Sequence, residues 1–572
     1  MKNMIQIVKR RKLLLILLLL LIIKLLIVQV QPIEAEYTLI YDDQLMCELA
    51  NNIADGNWLG EYNKNTLIKG VFTPLFIAFC YIIHIPFLLG KEIFYGIACI
   101  VFTLIIRKEL KTDMQAIIVY MVLLFNPVEY STDLCRLYRD GIYSSLILYL
   151  ISFFIGIFLN RTESAKKQIK YYIAIGITYT CTYLCREETI WLLPIMVATL
   201  ILIIIPIIKE KNKKEKLKKI AVMFIPICIF LIITNIIAYT NYRYYGVYTL
   251  NQYWGKEFKE AYGALTRVIP EEKIRRVPVT KNVMEKIYKI SPKFAELKEF
   301  FNGENGKKWQ CCGENIQGEI NAGYFHWALM EAVESKGYYK DAKTANEFYK
   351  NLSNEINLAC DNGEIESLKN QRNSNMVVFS VGDIIDVIKN MPKVIQYQYN
   401  LKNIRLKISP PIKYKNSEQE YLEIKNKFER ITRTKEISKD YYKEPINSIR
   451  LSILNLIKNI YQIANMYLFY IGIAFYIVFI IYNLKRLKTV YEELMILTGL
   501  LGIYLSRIFI ISFTEILMYR EALNVAYLSS IYNIQFLFTI LTIIWLKNST
   551  QIHKSKGNKN GKRINNTNSS TK

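Results

Sequence analysis

Histidine is nearly absent: the chain holds three, His84, His326 and His553. That argues against a metal site built on imidazoles and against a serine–histidine triad. The ten cysteines form no CxxC pair. Cys47, Cys80, Cys99, Cys135, Cys181, Cys185 and Cys228 fall in or beside apolar runs, where a thiol behaves as a small apolar side chain. No internal repeat is detectable. Charge is nearly missing from residues 13–30, 114–125, 141–159, 191–208, 220–239, 467–482, 494–511 and 536–546. At about 1.5 Å per residue the longer runs span a ~30 Å hydrocarbon slab, so most read as transmembrane helices.

Basic residues are abundant, giving a net charge of +25, but they sit in short blocks between the apolar runs. Residues 9–12, 107–108, 166–167, 209–219, 485–486 and 554–563 carry these blocks. They mark cytoplasmic loops by the positive-inside rule, and the charge needs no nucleic-acid partner. The first run reads as an uncleaved anchor rather than a signal peptide, with Lys24 snorkelling to the outer interface. Alternating the basic blocks gives about ten crossings, seven of them in residues 1–241, with both termini inside. Parity requires residues 71–106 to cross an odd number of times. Residues 71–89, interrupted by Pro74, His84 and Pro86, are therefore expected to pack at the outer face while 93–106 cross. Residues 242–451 read as a mostly helical extracytoplasmic domain, 452–546 as C-terminal membrane helices and 547–572 as a basic tail, disordered in its low-complexity part from 557. Together these give an α-helical polytopic membrane protein.

Reactive polar residues gather at the outer ends of the expected helices. Asp42 and Asp43 precede Leu45, Leu49 and Ile53, whose four-residue spacing makes a short amphipathic helix. The pair fits a helix cap, and it equally fits a general base. Lys69 follows, then Glu129, Asp133, Arg136, Arg139 and Asp140, then Arg186, Glu187 and Glu188. Juxtamembrane salt bridges account for any one of these. Gathered on one membrane face, they also suit a reaction at a lipid phosphate, with cations neutralising the phosphate and a carboxylate taking a proton from an acceptor hydroxyl.

The first outer loop, YDDQLMCELANNIADGNWLGEYNKNTLIKGVFTPLFIAF, resembles the opening of GT-C superfamily membrane glycosyltransferases, the broad group of protein O-mannosyltransferases and aminoarabinose lipid A transferases (glycosyltransferase family 39-like). NPVEYSTDLCRLYRDGIYSSL, LCREETIWLLP, GYFHWALMEAVESKGYYKDA and EFYKNLSNEINLACDNGEI extend the resemblance to about residue 365, and ALNVAYLSSIY continues it more faintly near the end. It implies a seven-helix module with the catalytic carboxylate in the first outer loop and a polyprenyl-phosphate-linked sugar as donor. Asp42 matches the family's catalytic aspartate, Asp43 stands where many members carry glutamate, and Lys69 matches the donor-phosphate lysine. Arg136, Arg139 and Arg186 are expected phosphate ligands, with Asp140, Glu187 and Glu188 as further candidates. Gly70-Val71-Phe72-Thr73-Pro74 departs from the family's usual form, and no DxD follows the third helix, which leaves a divalent cation open. The expected partners are the lipid-linked donor, membrane lipid and a cell-envelope glycan, lipid or protein acceptor, without nucleic acid. A transporter or flippase of lipid-linked glycans is the rival reading, and a non-catalytic receptor a third. Cys311, Cys312 and Cys360 fit either one disulfide to Cys360 or three free thiols.

Overall fold

The computed structural model describes residues 2–37, 39–310, 316–408 and 418–567, with side chains between residues 11 and 551. Ten helices form the first half: α1 (Lys2–Val28), α2 (Asp43–Ala54), α3 (Phe72–Ile82), α4 (Phe87–Ile106), α5 (Asp113–Leu124), α6 (Asp140–Leu159), α7 (Ala165–Cys185), α8 (Leu193–Ile208), α9 (Lys213–Met223) and α10 (Ile225–Tyr245). The middle is α11 (Lys256–Leu265), four short helices α12 to α15 (Lys281–Ile290, Pro292–Ala295, Lys298–Asn302, Glu304–Gln310), α16 (Ala322–Ser335), α17 (Ala342–Asp361), α18 (Val381–Asn400) and α19 (Glu418–Thr432). Three long helices, α20 (Pro445–Asn483), α21 (Tyr491–Leu517) and α22 (Val525–Thr567), end it. Among the described residues pairing outside helices is limited to isolated bridges.

Seven stretches among the described residues are long and apolar enough to cross a membrane: Phe87–Glu109, Asp140–Leu159, Thr189–Ile208, Lys213–Tyr245, Pro445–Arg486, Tyr491–Leu517 and Arg520–Gln551. The chain is an α-helical polytopic membrane protein. The crossing count made on charge alone adds α1, α5 and α7 to these. The last stretch is the most enclosed: 89% of its apolar window is buried, against 11% for Lys213–Tyr245. It packs on α5, α6, α20 and α21 and so lies at the centre of the bundle.

In α1, Leu13, Leu17, Leu21, Lys24 and Val28 recur at three- and four-residue steps and are buried, whereas Leu15, Leu19, Ile22 and Leu26 are more than half exposed. The exposed stripe suits lipid. Lys24 therefore does not snorkel. It lies on the inner stripe, 1% exposed, and pairs with Glu92 of α4. Lys91 meets Glu92 at 3.0 Å and donates to the Glu129 carbonyl at 2.6 Å. The Glu129 carboxylate accepts from Ser144 and from Asn533 of α22. This closed network ties α1, α4, α6 and α22 together, and it removes Glu129 from the outer cluster expected of it.

At 11 residues, α3 reaches only about 16 Å. Its C-terminal end meets the middle region, where Arg433 donates to the Tyr81 carbonyl at 3.2 Å, and Asp55, in the turn after α2, pairs with Arg430 of α19. By length α3 is too short to span a ~30 Å slab, whereas Phe87–Glu109 is long and apolar enough to do so, in keeping with the parity expected of the basic blocks.

The middle region covers the first loop. Arg267, at the end of α11, is 2% exposed and binds Asp361 and Asn357 of α17, which unites these helices. The loop is held from above through Tyr62–Gln252 at 2.7 Å, the Lys64–Glu334 ion pair and the Ile68 carbonyl to Asn251 at 2.8 Å. Within the same region α18 lies along α21, where Asn390 meets Ser512 and Gln398 meets Tyr504 and Gln535. Cys360 is buried in α17, while Cys311 and Cys312 lie outside the described residues, as does the end of the tail from residue 568.

Candidate active site

Local structure decides what the acidic pair does. Asp42 occupies the N-cap position of α2 but makes no capping hydrogen bond. It pairs instead with Lys69, whose Nζ also donates to the Tyr138 hydroxyl at 2.9 Å. Asp43 begins α2 fully buried and takes both prongs of the Arg136 guanidinium. One aspartate therefore faces the cleft, with its side chain 36% exposed, and the other is a buried brace at 0%.

Tyr138 is the hub. Lys69, Arg136 and Arg139 stand 4.6, 5.3 and 5.4 Å from its ring centroid, where the negative face of the π-system holds cations. Arg139 reaches Glu187 at 3.7 Å, and Asn251 donates to the same carboxylate at 2.9 Å. Deeper in, Arg186 at the end of α7 pairs with Asp140 at the start of α6 and lies 3.7 Å from Glu188. Glu188 is also 3.8 Å from Arg507 of α21. Arg507 is 1% exposed, lies over the Trp191 ring and donates to the Tyr527 carbonyl at 2.9 Å.

The cluster holds as many carboxylates as cations, yet its hydrogen bonding is incomplete. The Nε atoms of Arg139, Arg186 and Arg507, and Nη1 of Arg507, are buried without a hydrogen-bond partner among the described residues. A buried guanidinium normally fills its donors, since each orphan costs about 1–3 kcal/mol. Three arginines with spare donors in one place have the chemistry to hold an anionic group.

Protonation follows from the same contacts. Burial pushes the Asp42 carboxyl up, but the Lys69 ammonium outweighs it and holds Asp42 well below the usual carboxylate range. Burial raises Asp43 to about 6 against the opposing Arg136. Burial lowers Lys69 to about 8, with Asp42 opposing. Glu187 is raised by burial, whereas for Glu188 Arg186 and Arg507 overcome burial and lower it.

Gly70 has no room for a side chain: a Cβ there would lie 2.0 Å from the Leu184 carbonyl. This contact seats Lys69 against the end of α7. A cavity of about 170 Å³ opens beside it, lined by Gly70, Leu184, Glu187, Asn251 and Trp254 among others. Among the described residues no three His, Cys, Asp or Glu side chains gather as a metal-binding group. The structure thus brings Asp42, Asp43, Lys69, Arg136, Arg139, Asp140, Arg186, Glu187 and Glu188 into one cluster. Sequence reasoning missed Arg507 and Tyr138. A lone arginine inside an apolar span is itself a functional signal and marked Arg507; Tyr138, between two arginines, carried no comparable mark.

Fold and site together define a polytopic helical membrane protein with a carboxylate-and-guanidinium cleft between its membrane helices and the middle region. No family model and no curated protein matches the chain. Among solved structures it is similar to ArnT from Cupriavidus metallidurans in the apo state, at 11% identity over 89% of this chain and 78% of that one, with a TM-score of 0.29. The form of that protein bound to undecaprenyl phosphate matches at 10% identity over 88% and 77%, again with a TM-score of 0.29. A likeness this distant carries no functional argument.

Proposed function

We propose that the protein is a GT-C-type membrane glycosyltransferase that moves a sugar from a polyprenyl-phosphate carrier to an acceptor hydroxyl at the extracytoplasmic face, with both chain termini cytoplasmic. The supporting observation is Asp42, a solvent-reaching carboxylate ion-paired to buried Lys69 beside three arginines with unfilled donors. In the proposed step the acceptor oxygen bonds to the anomeric carbon, the carbon–phosphate oxygen bond breaks with its electron pair leaving on the phosphate, and Asp42 takes the hydroxyl proton. A single displacement of this kind inverts the anomeric centre.

Lys69 has two roles in this reading. At rest it suppresses the basicity of Asp42. A donor phosphate competes for the ammonium, and the added negative charge beside Asp42 raises its proton affinity when the acceptor needs a base. Arg139, Arg186 and Arg507 stabilise the leaving phosphate. Glu188 also reaches solvent, but it lies between Arg186 and Arg507 and is read as the group that balances their charge.

The rival, a transporter or flippase, calls for ionisable groups along a mid-membrane path. Lys24, Lys91, Glu92 and Glu129 are instead buried and bound to one another. The test is lipid-linked sugar analysis in cells lacking the protein, followed by transfer from the accumulated lipid by purified protein with and without EDTA. Accumulated donor that wild type consumes, and Asp42→Asn protein does not, supports the reading. Movement of intact lipid-linked glycan across vesicles without transfer overturns it. The step as written needs no metal ion, so activity should survive EDTA.

A further inference from the structure

Two carboxylates follow Arg186 in the loop between α7 and α8, and they are held differently. Glu187 is enclosed, with its side chain 10% exposed; it accepts from the Asn251 amide at 2.9 Å and has Arg139 3.7 Å away. Glu188 keeps 43% of its side chain exposed. Its Oε1 stands 3.7 Å from Nη2 of Arg186, and its Oε2 stands 3.8 Å from Nη1 of Arg507. Both contacts are longer than a hydrogen bond. That same Nη1, with Nε of Arg507 and Nε of Arg186, has no hydrogen-bond partner among the described residues. Glu188 therefore lies between two guanidinium groups without filling their donors.

A carboxylate so placed offers one oxygen to each arginine, as a phosphate group would. It is ionised at neutral pH, because Arg186 and Arg507 outweigh the burial that would raise it. The charges of the cleft balance with it in place: Asp42, Asp43, Asp140, Glu187 and Glu188 stand against Lys69, Arg136, Arg139, Arg186 and Arg507. Asp43 and Asp140 are buried, Glu187 is bonded to Asn251, and Asp42 is paired with Lys69. Glu188 is the acid free to turn outward, and when it does the cleft keeps one positive charge.

We infer that Glu188 is a movable counter-anion that tells the sugar donor from the spent lipid carrier by the charge of the phosphate. This rests on the transferase reading and assigns product release within it. The donor phosphate is a diester with one negative charge, so it replaces the Glu188 carboxylate one for one. Transfer breaks the sugar–oxygen bond and leaves a monoester with close to two charges, while Asp42 holds the acceptor's proton. Once that proton passes to water, the cleft carries one negative charge too many. Glu188, tethered beside the arginines, repels the monoester and returns to its place as the carrier leaves.

The test compares two lipids on full-length protein in detergent at about pH 7.5: undecaprenyl phosphate, a monoester, and its methyl ester, a diester of the same chain. Glu188→Gln should tighten binding of the monoester about tenfold and of the diester about threefold or less. Glu187→Gln removes the same charge from a carboxylate that stays in place, so it should shift the ratio of the two affinities by less than about twofold. In wild type the monoester should gain on the diester when pH is lowered to about 5, where it too becomes a monoanion; this needs no variant to fold. Weaker or unchanged binding of both lipids to Glu188→Gln overturns the inference, as does equal tightening of both. An equal ratio shift in Glu187→Gln, or a monoester that loses ground to the diester on acidification, also overturns it. Failure of folded wild-type protein to bind either lipid overturns the transferase reading itself.

Discussion

At the residue scale, two adjacent aspartates have separate roles, and their substitutions should fail in separate ways. Asp42→Asn removes the base but keeps an acceptor for Lys69, so turnover should fall by about 10²-fold or more. Because Asp42 is more than a third exposed, stability should change by about 1 kcal/mol or less. Asp43→Asn strands Arg136, and breaking such a pair should cost about 3 kcal/mol, the low end of the range because Arg136 keeps 24% of its side chain exposed. Thermal unfolding and single-turnover transfer separate the two; near-normal turnover in Asp42→Asn, or full stability in Asp43→Asn, reverses the assignment. Lys69 supplies a pH dependence. Its ammonium is charged below about 8 and neutral above, so donor affinity in the free protein should fall as pH rises through that value. Lys69→Arg, charged throughout, should remove the limb from kcat/KM for the donor, and an unchanged alkaline limb would sink the role given to Lys69. Asp42, Lys69 and Arg186 were legible in the sequence because charges stand out in loops between apolar runs. Arg507 was passed over although a lone arginine in an apolar span is itself a signal, because averaging hydropathy over the run hides one charge. Lys24 looked like a snorkelling lysine because its partner Glu92 is 68 positions away, and nothing local announces such a pair.

At the scale of elements, α18 is the part that sequence pattern described least. Its charges place it with the water-exposed middle region, yet Gln398 meets Tyr504, which lies thirteen residues, about 20 Å, inside the end of α21. Val381, Ile385 and Ile388 recur on one face and are 79%, 48% and 54% exposed. The opposite face supplies Asp383 to Lys273 and Asp386 to Arg275. We expect α18 to descend along α21 with its apolar face in lipid, which costs little there and would be unfavourable in water. A bimane label on Ile388→Cys, in a background without native cysteines, should be quenched by lipids brominated on their acyl chains, while a label on Asp386→Cys should not. Equal quenching at both positions, or none at Ile388, rules this out. The contrast with α3 is instructive. There Pro74, Pro86 and the parity of the flanking basic blocks led sequence reading to expect residues 71–89 to stay on one side, and the 11 residues of α3 are too few to span the slab. For α18 the deciding contacts come from α21 and α22, more than a hundred residues further on.

At the scale of the molecule, the resemblance in the sequence is clear only to about residue 365 and faint at 522–532, which suggested that the last three helices are additions to a complete module. Packing says otherwise. The helix Arg520–Gln551 is the most enclosed of the candidate spans, Asn533 completes the Lys91–Glu129 network, and Gln535 bonds Asn465 at 2.6 Å. Arg507 and Tyr527 reach into the cleft itself. The site is therefore assembled from both ends of the chain, and the first half alone lacks one of its anion-binding arginines. Cutting the chain between Lys439 and Asp440, in an exposed turn before α20, tests this without altering any side chain of the site. Residues 1–439 expressed alone should insert but neither bind polyprenyl phosphate at wild-type affinity nor transfer sugar. Co-expressed with 440–572, they should co-purify, because the buried polar contacts between the pieces are costly to leave unpaired, and activity should return. Co-expression of the second piece carrying Arg507→Ala should restore the complex but leave donor affinity at least about tenfold weaker, the cost of about 1.4 kcal/mol for one charge-assisted contact. If residues 1–439 alone transfer sugar at the full rate, the C-terminal helices are an accessory and Arg507 has no part in the chemistry.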